Sequence, residues 1–322
     1  MLTDVKHQDQ AIPFLRSLVE DRFTDPLLLV GEEGVGRRFS ALQAIKEVCC
    51  RLDRKSECPC AGCYQVDRGC HPDLLTITGS DDKKIKVDTL RDMLDLAWES
   101  PTVARNRFIL IDGVDKMSVE DSANVLLKVL EEPPPLARFI LLAETLSSVL
   151  PTVRSRCGKI SYKPLPDGFV VSVLKRFFED LDNVSIYSRM GEGSVGRSLS
   201  YMGAGRMALR NRVLEVLQLA LKGDLPSVFS TIDAMGQDLP LALRFIGQLL
   251  HDLLMVAVTP DRMINLDRLE SVRNLRSDRK DLSEWWVKLS KGLREVVERH
   301  RRSPIILSFH VKAVFAETFT SV

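Results

Sequence analysis

Hydrophobic residues in the first half of the chain fall into short continuous runs, separated by segments with helical periodicity. The run at residues 108–111 ends in Asp112, as expected of a buried parallel strand with a carboxylate at its carboxyl end. Leucines at helical spacing follow, prolines at Pro133 to Pro135 stop that helix, and a second apolar run covers Phe139 to Ala143. Strand, helix and strand in this order predict a right-handed βαβ unit, the building block of nucleotide-binding sheets.

Similar apolar runs along the chain predict an α/β fold class. Strands near residues 26, 74, 107, 138 and 159 make a parallel five-stranded sheet. From residue 206 onward the pattern is helical without strand alternation, which is typical of an all-α bundle. Prolines at positions 164 and 166 mark a boundary after the sheet. We therefore predict domains at residues 1–165, 166–205 and 206–322.

Charge and composition narrow the class of protein. The 322 residues include 45 basic and 44 acidic ones, so any contact with nucleic acid has to use a local basic patch. No apolar run approaches the length of about eighteen residues that spans a bilayer. The first ten residues lack the basic and apolar regions of a secretion signal. We expect a cytoplasmic protein.

A glycine-rich loop follows the first strand and precedes a helix, which is the setting of a phosphate-binding loop. Gly31 and Gly36 match the glycines of the pattern G-x-x-x-x-G-K-[ST], with Gly34 between them. Arg37 stands in place of the lysine, and Arg38 in place of the hydroxyl residue that holds Mg²⁺. A guanidinium substitutes poorly for the compact ammonium group in a tight loop. These changes predict a degenerate nucleotide-binding loop that is kept for its fold.

Short spacing of cysteines after the first helix predicts a metal site. Seven cysteines suit metal binding in a reducing cytosol better than disulfides. Four thiolates make a tetrahedral set, and the softness of sulfur favours zinc or an iron–sulfur cluster. Six of the cysteines lie within residues 49–70, and the alternative to a metal site is free thiols in a variable loop.

The helix of the central unit and a later loop resemble a known family. Residues 124–134 read NVLLKVLEEPP and residues 155–157 read SRC, similar to the clamp-loader branch of the AAA+ family, the bacterial proteins that load the sliding clamp. The resemblance implies an AAA+ P-loop sheet with an inserted zinc module at about residues 49–70, a small helical lid and a helical collar. In that module one cysteine precedes a group of three, which implies Cys50, Cys58, Cys60 and Cys63 as the zinc ligands. Because the spacing in this chain is one residue short, Cys49 in place of Cys50 and Cys70 as an additional candidate stay open. It also implies that Arg156 is an arginine finger acting in trans and that Arg197 is the second sensor of the lid. The alternatives are a pair between Arg156 and a carboxylate of its own domain, and an ordinary surface role for Arg197.

The same resemblance implies lost catalytic groups. Hydrolysing members carry a second carboxylate directly after the position of Asp112, whereas this chain has Gly113. Their polar sensor near the end of the following strand corresponds here to Ala143 or Glu144. We therefore expect no ATP hydrolysis by the isolated chain, and leave ATP binding open.

The function implied by the resemblance is that of a non-hydrolysing subunit of the DNA polymerase III clamp loader. Such a subunit helps load the sliding clamp onto primed DNA, together with gamma/tau and delta subunits, and holds a structural Zn²⁺. One alternative is a catalytic gamma/tau-type ATPase subunit whose loop tolerates arginine. Another is a free-standing zinc-dependent nucleic-acid-binding protein, which the near-zero net charge and the lack of an aromatic and basic patch disfavour.

Overall fold

The chain forms two compact units in the computed structural model. The structure describes residues 1–52, 58–79, 84–117, 121–178, 183–203, 205–277, 282–300 and 307–319. The first unit contains residues 1–170 and 193–197, and the second contains residues 171–192 and 198–322. The division into three domains expected from the sequence stays a prediction.

A five-stranded parallel sheet forms the centre of the first unit. The strands are β1 Leu27–Val30, β2 Leu74–Thr78, β3 Arg107–Asp112, β4 Ala137–Ala143 and β5 Gly158–Ser161. Their order across the sheet is β2-β3-β4-β1-β5, with all neighbours parallel. The predicted fold class is therefore confirmed. Because all strands run in one direction, the loops after β1, β2 and β3 leave from the same edge of the sheet.

Helices cover both faces of this sheet. In chain order they are α1 Ile12–Val19, α2 Arg37–Cys49, α3 Ala61–Asp67, α4 Val87–Leu96, α5 Asp121–Glu131 and α6 Pro151–Arg154. Leu29 packs in a hydrophobic layer with Leu15 and Ile45, which belong to α1 and α2. Its neighbour Leu28 points to the opposite face and packs in the layer that contains Leu126 of α5. Burial on both faces explains why the inner strands β1, β3 and β4 are mostly apolar, whereas the edge strands β2 and β5 include exposed polar residues.

A buried carboxylate ties the start of β2 to the turn before β3. Asp73 is fully buried, and its two carboxylate oxygens accept backbone N–H groups of residues 102–104 at 2.6 to 2.7 Å. Burial acts to raise the pKa of Asp73, but these hydrogen bonds outweigh it and leave the pKa below its usual value. The adjacent His71 accepts the N–H of Asp73 through Nδ1 at 3.1 Å. His71 thus helps to organise the turn into β2.

The second unit is helical in its described part. The remaining helices are α7 Asp167–Phe177, α8 Val184–Gly191, α9 Val195–Tyr201, α10 Arg206–Leu221, α11 Leu225–Met235, α12 Leu239–Val258, α13 Leu269–Ser277, α14 Leu282–His300 and α15 Leu307–Phe319. Tyr201 packs against Phe245 of α12, with 5.3 Å between ring centroids. Gln248 donates to the carbonyl of Met190 at 2.8 Å. Residues from α8 and α9 therefore share one core with the helices that follow residue 206.

One helical stretch meets the length and composition of a membrane span. It covers Leu225–Val258, and 56% of its most apolar window is buried within the protein. Leu239, Leu243 and Phe245 are among its residues in the core of the second unit. The apolar character of α12 is thus explained by packing inside the helical unit.

Candidate functional site

The loop between β1 and α2 ends at a helix N-terminus and uses glycines where the backbone requires them. Gly34 has a φ of +77° and Gly36 a φ of +101°, conformations that favour glycine. Gly36 is also the N-cap residue of α2. A loop of this kind directs unpaired N–H groups of the helix start toward an anion.

The two arginines after this loop lie in different environments. Arg37, in the position of the phosphate-binding lysine, is buried at 8% exposure, and its charge acts on the phenol of Tyr162. Burial nevertheless raises the pKa of Tyr162 to about 12. Arg38, in the position of the Mg²⁺-binding hydroxyl, reaches across to the ends of two other strands. Its Nη1 donates to Oδ2 of Asp112 at 3.1 Å and to Oγ1 of Thr78 at 3.3 Å.

The position after Asp112 is incompatible with an ordinary side chain. Gly113 has a φ of +83°, and a Cβ there would lie 2.8 Å from the backbone oxygen of Gly79. At the end of β4, Ala143 is buried, and Glu144 forms an ion pair with Lys116 at 2.8 Å. The carboxylate that the sequence offered as a sensor is thus engaged with a cation of its own unit.

Residues 193–197 lie directly on the glycine-rich loop. The Ser194 hydroxyl donates to the carbonyl of Glu33 at 2.7 Å, and the N–H of Val195 donates to the carbonyl of Gly34 at 3.1 Å. Arg197 donates through Nη2 to Oε2 of Glu32 at 2.5 Å, and the Arg197 side chain is only 12% exposed. The arginine that the resemblance assigned as a sensor therefore contacts a carboxylate of the loop itself.

The predicted arginine finger is held by its own unit. Nη1 of Arg156 donates to the carbonyl of Thr152 at 2.9 Å and to Oγ of Ser155 at 3.3 Å. Nη2 donates to Oε1 of Glu131 in a close ion pair. The Arg156 side chain is 34% exposed and that of Glu131 is 51% exposed. The guanidinium is therefore oriented by three groups and still reachable from solvent.

The four predicted metal ligands lie together. The sulfur atoms of Cys50, Cys58, Cys60 and Cys63 are all within 4.8 Å of one another. The Cys50 sulfur lies 3.6 Å from that of Cys58 and 4.0 Å from that of Cys60. A tetrahedral zinc site with Zn–S bonds of about 2.3 Å has sulfurs about 3.8 Å apart, so the two measured distances fit such a site. The chain thus carries a possible four-cysteine metal site.

The other two candidate cysteines lie outside this cluster. Cys49 is the last residue of α2 and is buried in a hydrophobic layer, and burial raises its pKa to about 12. Cys70 is exposed and does not belong to the four-sulfur group. Burial acts to raise the pKa of Cys60 as well, but hydrogen bonds from the backbone of Cys63 and Arg51 lower it to about 6. These hydrogen bonds favour the thiolate of Cys60, the form that binds metals.

Several residues of this region were not singled out by the sequence. They are Glu32 and Ser194, which join the loop to residues 193–197, and Glu131, which contacts Arg156. The only local signal is that Glu131 ends the helix of the NVLLKVLEEPP motif. The partners of Glu32 and Ser194 lie about 160 residues away in the chain, so no local pattern predicts them.

Comparison with known proteins decides the family. The family model described as "DNA polymerase III, delta subunit" matches residues 7–166. The DNA polymerase III subunit delta′ of Pseudomonas aeruginosa is 32% identical over 142 residues, covering 43% of this chain and 43% of the relative. The chain belongs to the DNA polymerase III clamp-loader family. The resemblance carried by residues 124–134 and 155–157 is thereby confirmed.

Clamp-loader relatives of two subunit names match this chain. DNA polymerase III subunit gamma of Buchnera aphidicola subsp. Baizongia pistaciae is 26% identical over 277 residues, covering 77% of this chain and 74% of the relative. Subunit delta′ of Escherichia coli K12 is 27% identical over 198 residues, covering 61% and 58%. A solved gamma-subunit-related protein of Thermotoga maritima has a TM-score of 0.44 at 18% identity, covering 84% and 98%. The matched segments span 74% of the Buchnera subunit, 58% of the Escherichia coli subunit and 43% of the Pseudomonas subunit, and they support the family without choosing between the subunits.

Proposed function

We propose that this clamp-loader subunit is the delta-prime subunit, which joins the loader without hydrolysing ATP itself. The observation that carries the proposal is the ion pair between Arg38 and Asp112, at 3.1 Å. In hydrolysing P-loop proteins, the hydroxyl of the loop and the carboxylate at the strand end hold Mg²⁺ between them. In this chain the loop position carries Arg38 instead of a hydroxyl residue, and the Arg38 guanidinium contacts Asp112 at the end of β3.

The importance of this pair lies in its position rather than in its energy. The Arg38 side chain is 44% exposed, and such a pair contributes only about 0.2–1 kcal/mol. The guanidinium of Arg38 is part of the chain, however, so it competes with Mg²⁺ for Asp112 at every Mg²⁺ concentration. The loop also no longer supplies a hydroxyl ligand at this position. Both effects weaken Mg²⁺ binding, and with it the binding of Mg·ATP.

A second pair supports the same proposal on the other side of the loop. Glu32 presents a carboxylate to Arg197, the residue that the family resemblance assigns to sensing nucleotide. A carboxylate is an oxygen anion, as is the terminal phosphate of ATP, so Arg197 is supplied with a negative partner by its own chain. A nucleotide entering here would have to displace that partner.

The proposed contribution of this subunit to chemistry is Arg156, offered in trans to the ATP of a neighbouring subunit. A guanidinium beside a terminal phosphate stabilises the charge that develops in the transition state. The proposed partners are gamma/tau and delta subunits, the sliding clamp, and primed DNA through the assembled complex, in the cytoplasm. Partial exposure of Arg156 is compatible with this role, because a finger must reach beyond its own subunit.

The proposed cofactor is one structural Zn²⁺ held by Cys50, Cys58, Cys60 and Cys63. Four sulfur ligands close a tetrahedral zinc site and leave no open position for substrate or water. Bound metal would therefore stabilise the fold of residues 50–63 without acting on a reactant. The sulfur distances given above support this assignment.

A reconstitution experiment tests the proposed function. The purified chain, and the loader rebuilt from it with gamma/tau and delta, are assayed for ATP turnover in the presence of clamp and primed DNA. We expect background turnover from the chain alone, and a rate in the complex that drops when Arg156 is replaced by alanine. Lysine at this position should not restore the rate, because it lacks the planar fork. Steady turnover by the isolated chain, on the order of 1 per second or more, would refute the proposal.

A catalytic gamma/tau-type subunit is the second candidate. It is favoured by the similarity to the Buchnera subunit gamma over 277 residues. A gamma-type subunit would bind Mg·ATP and hydrolyse it in the isolated state. Calorimetric titration with ATP, with and without Mg²⁺, separates the candidates, because only the gamma type requires a Mg²⁺-dependent gain in affinity.

A further inference from the structure

The last residue of α5 belongs to the group that orients the proposed finger. Glu131 ends the helix, and the chain leaves it through prolines toward β4. Its carboxylate contacts Nη2 of Arg156, which lies 25 residues further along the chain, beyond α6. Glu132 is exposed, and among the described residues it forms no ion pair with Arg156. Glu131 and Glu132 thus carry the same charge at adjacent positions, but of the two only Glu131 forms an ion pair with Arg156 among the described residues.

Some of the five N–H donors of Arg156 are used within its own unit, and the others remain available. Both contacts of Nη1 go to α6 and its C-cap residue, where the Thr152 carbonyl and the Ser155 hydroxyl accept. Ser155 is itself fixed, because its Oγ donates to the same Thr152 carbonyl at 2.9 Å. Glu131 accepts from Nη2. In the described part of the chain, Nε–H has no partner, and Nη2 retains a second N–H.

We propose that Glu131 is a positioning residue for Arg156, holding the guanidinium so that Nε–H and one N–H of Nη2 remain for the phosphate of a neighbouring subunit's nucleotide. This inference rests on the proposed function of Arg156 as a finger in trans. A free arginine side chain samples many rotamers, and ordering it at the moment of reaction costs entropy. Contacts that fix the plane of the guanidinium beforehand remove part of that cost, which is the advantage of a preorganised electrostatic group.

The competing expectation is that Glu131 opposes the finger. A carboxylate neutralises the guanidinium and competes with phosphate for it, so its removal would speed the reaction. The geometry favours positioning over competition for two reasons. Glu131 is 51% exposed, so solvent screens its charge, whereas the direction of its hydrogen bond is unaffected by screening. The contacts from Thr152 and Ser155 act in the same sense and carry no charge.

The test compares Glu131→Ala and Glu131→Gln with the matched control Glu132→Ala, each in the loader rebuilt with gamma/tau and delta. The quantity measured is the Arg156-dependent ATP turnover, which is the rate with the unchanged chain minus the rate with Arg156→Ala. We expect Glu131→Ala to lower this part about two- to fivefold, as for loss of a partly exposed charged contact. Glu131→Gln, which keeps an acceptor oxygen, should lower it less. Glu132→Ala should leave it unchanged.

Two further readouts separate positioning from a structural effect. The ATP concentration at half-maximal rate should stay constant in Glu131→Ala, because the finger acts in the transition state. In the Arg156→Ala background, Glu131→Ala should have no further effect on turnover. If Glu131→Ala prevents assembly, Glu131→Gln alone decides the result.

The outcomes distinguish the two proposals. If Arg156→Ala leaves turnover unchanged in an assembled loader, the proposed finger is wrong, and the role of Glu131 is wrong with it. If Arg156→Ala lowers turnover while the Glu131 variants match Glu132→Ala, only the positioning role is refuted. A rate that rises in Glu131→Ala also refutes it, and establishes that the carboxylate competes with phosphate.

Discussion

Replacing Gly34 by alanine tests whether the glycine-rich loop now serves as a packing surface for residues 193–197. A Cβ at Gly34 would lie 2.3 Å from Oγ of Ser194 and 2.7 Å from the backbone nitrogen of Gly196. The φ of +77° is also unfavourable for an L-residue. Ser194 is fully buried, so turning its hydroxyl away would break its hydrogen bond to the Glu33 carbonyl without access to water.

The expected loss of stability has two parts. The left-handed backbone costs about 1–2 kcal/mol for alanine. Overpacking against Gly196, whose backbone cannot turn aside as a side chain can, adds about 1–3 kcal/mol. Gly34→Ala should therefore lower the free energy of unfolding by about 2–5 kcal/mol. The matched control is Gly69→Ala in the same unit, because Gly69 has a φ of +66° and nothing within 4 Å of an added Cβ. Gly69→Ala should lower the free energy of unfolding only by the backbone contribution of about 1–2 kcal/mol.

Urea unfolding followed by circular dichroism measures both variants, and hydrogen exchange localises the effect. The N–H of Val195 donates to the carbonyl of Gly34, so peptides covering residues 193–197 should exchange faster in Gly34→Ala. They should be unaffected in Gly69→Ala. Equal losses of stability in the two variants, with unchanged exchange at residues 193–197, would show that the close approach does not depend on glycine.

Three further predictions follow from the described contacts. Asp73→Asn should destabilise the protein most near neutral pH. Because folding lowers the pKa of Asp73, its ionised carboxylate stabilises the folded state above about pH 4, and this stabilisation is lost as the pH falls through the pKa of the folded state. The urea midpoints of the two proteins should therefore converge in acid, and a difference that stays constant with pH would contradict this. Elemental analysis should find one zinc per chain, lost in Cys60→Ser and kept in Cys70→Ser; equal metal content in both would refute the ligand set. The double change Arg37→Lys with Arg38→Thr should strengthen Mg²⁺-dependent ATP binding in calorimetry without producing turnover, because the position of the second carboxylate is still glycine; turnover comparable to a hydrolysing subunit would refute that reasoning.

Those parts of the structure that depend on local sequence were predictable. The inner strands β1, β3 and β4 are largely apolar runs between polar or proline-containing segments, so their positions in the chain follow from the pattern. The cysteine cluster is similar, because Cys50 and Cys63 are close enough in sequence for a short segment to bring their sulfurs together. The place of β1 between β4 and β5 has no such local cause and depends on packing across the whole sheet.

The charged contacts of the site were not predictable for the same reason. Arg38 and Asp112 are 74 residues apart, and Glu32 and Arg197 are 165 residues apart. The sequence indicated that Arg38 could not act as a magnesium ligand, but not that it would contact the carboxylate at the end of β3. For Arg156, the pair with a carboxylate of its own unit was weighed as the alternative to a finger. The structure has that pair, and the proposed positioning role accounts for both features.

The two ion pairs around the loop affect the evolutionary routes open to this chain. A mutation of Arg38 to a hydroxyl residue removes the cation beside Asp112 before any nucleotide has been gained. A mutation of Glu32 leaves Arg197, only 12% exposed, without this carboxylate. Each first step toward an ATP-binding loop thus removes a contact of the folded chain, at a cost of only about 0.2–1 kcal/mol for the exposed Arg38 pair. The order of substitutions therefore matters more for nucleotide binding than for the stability of the fold.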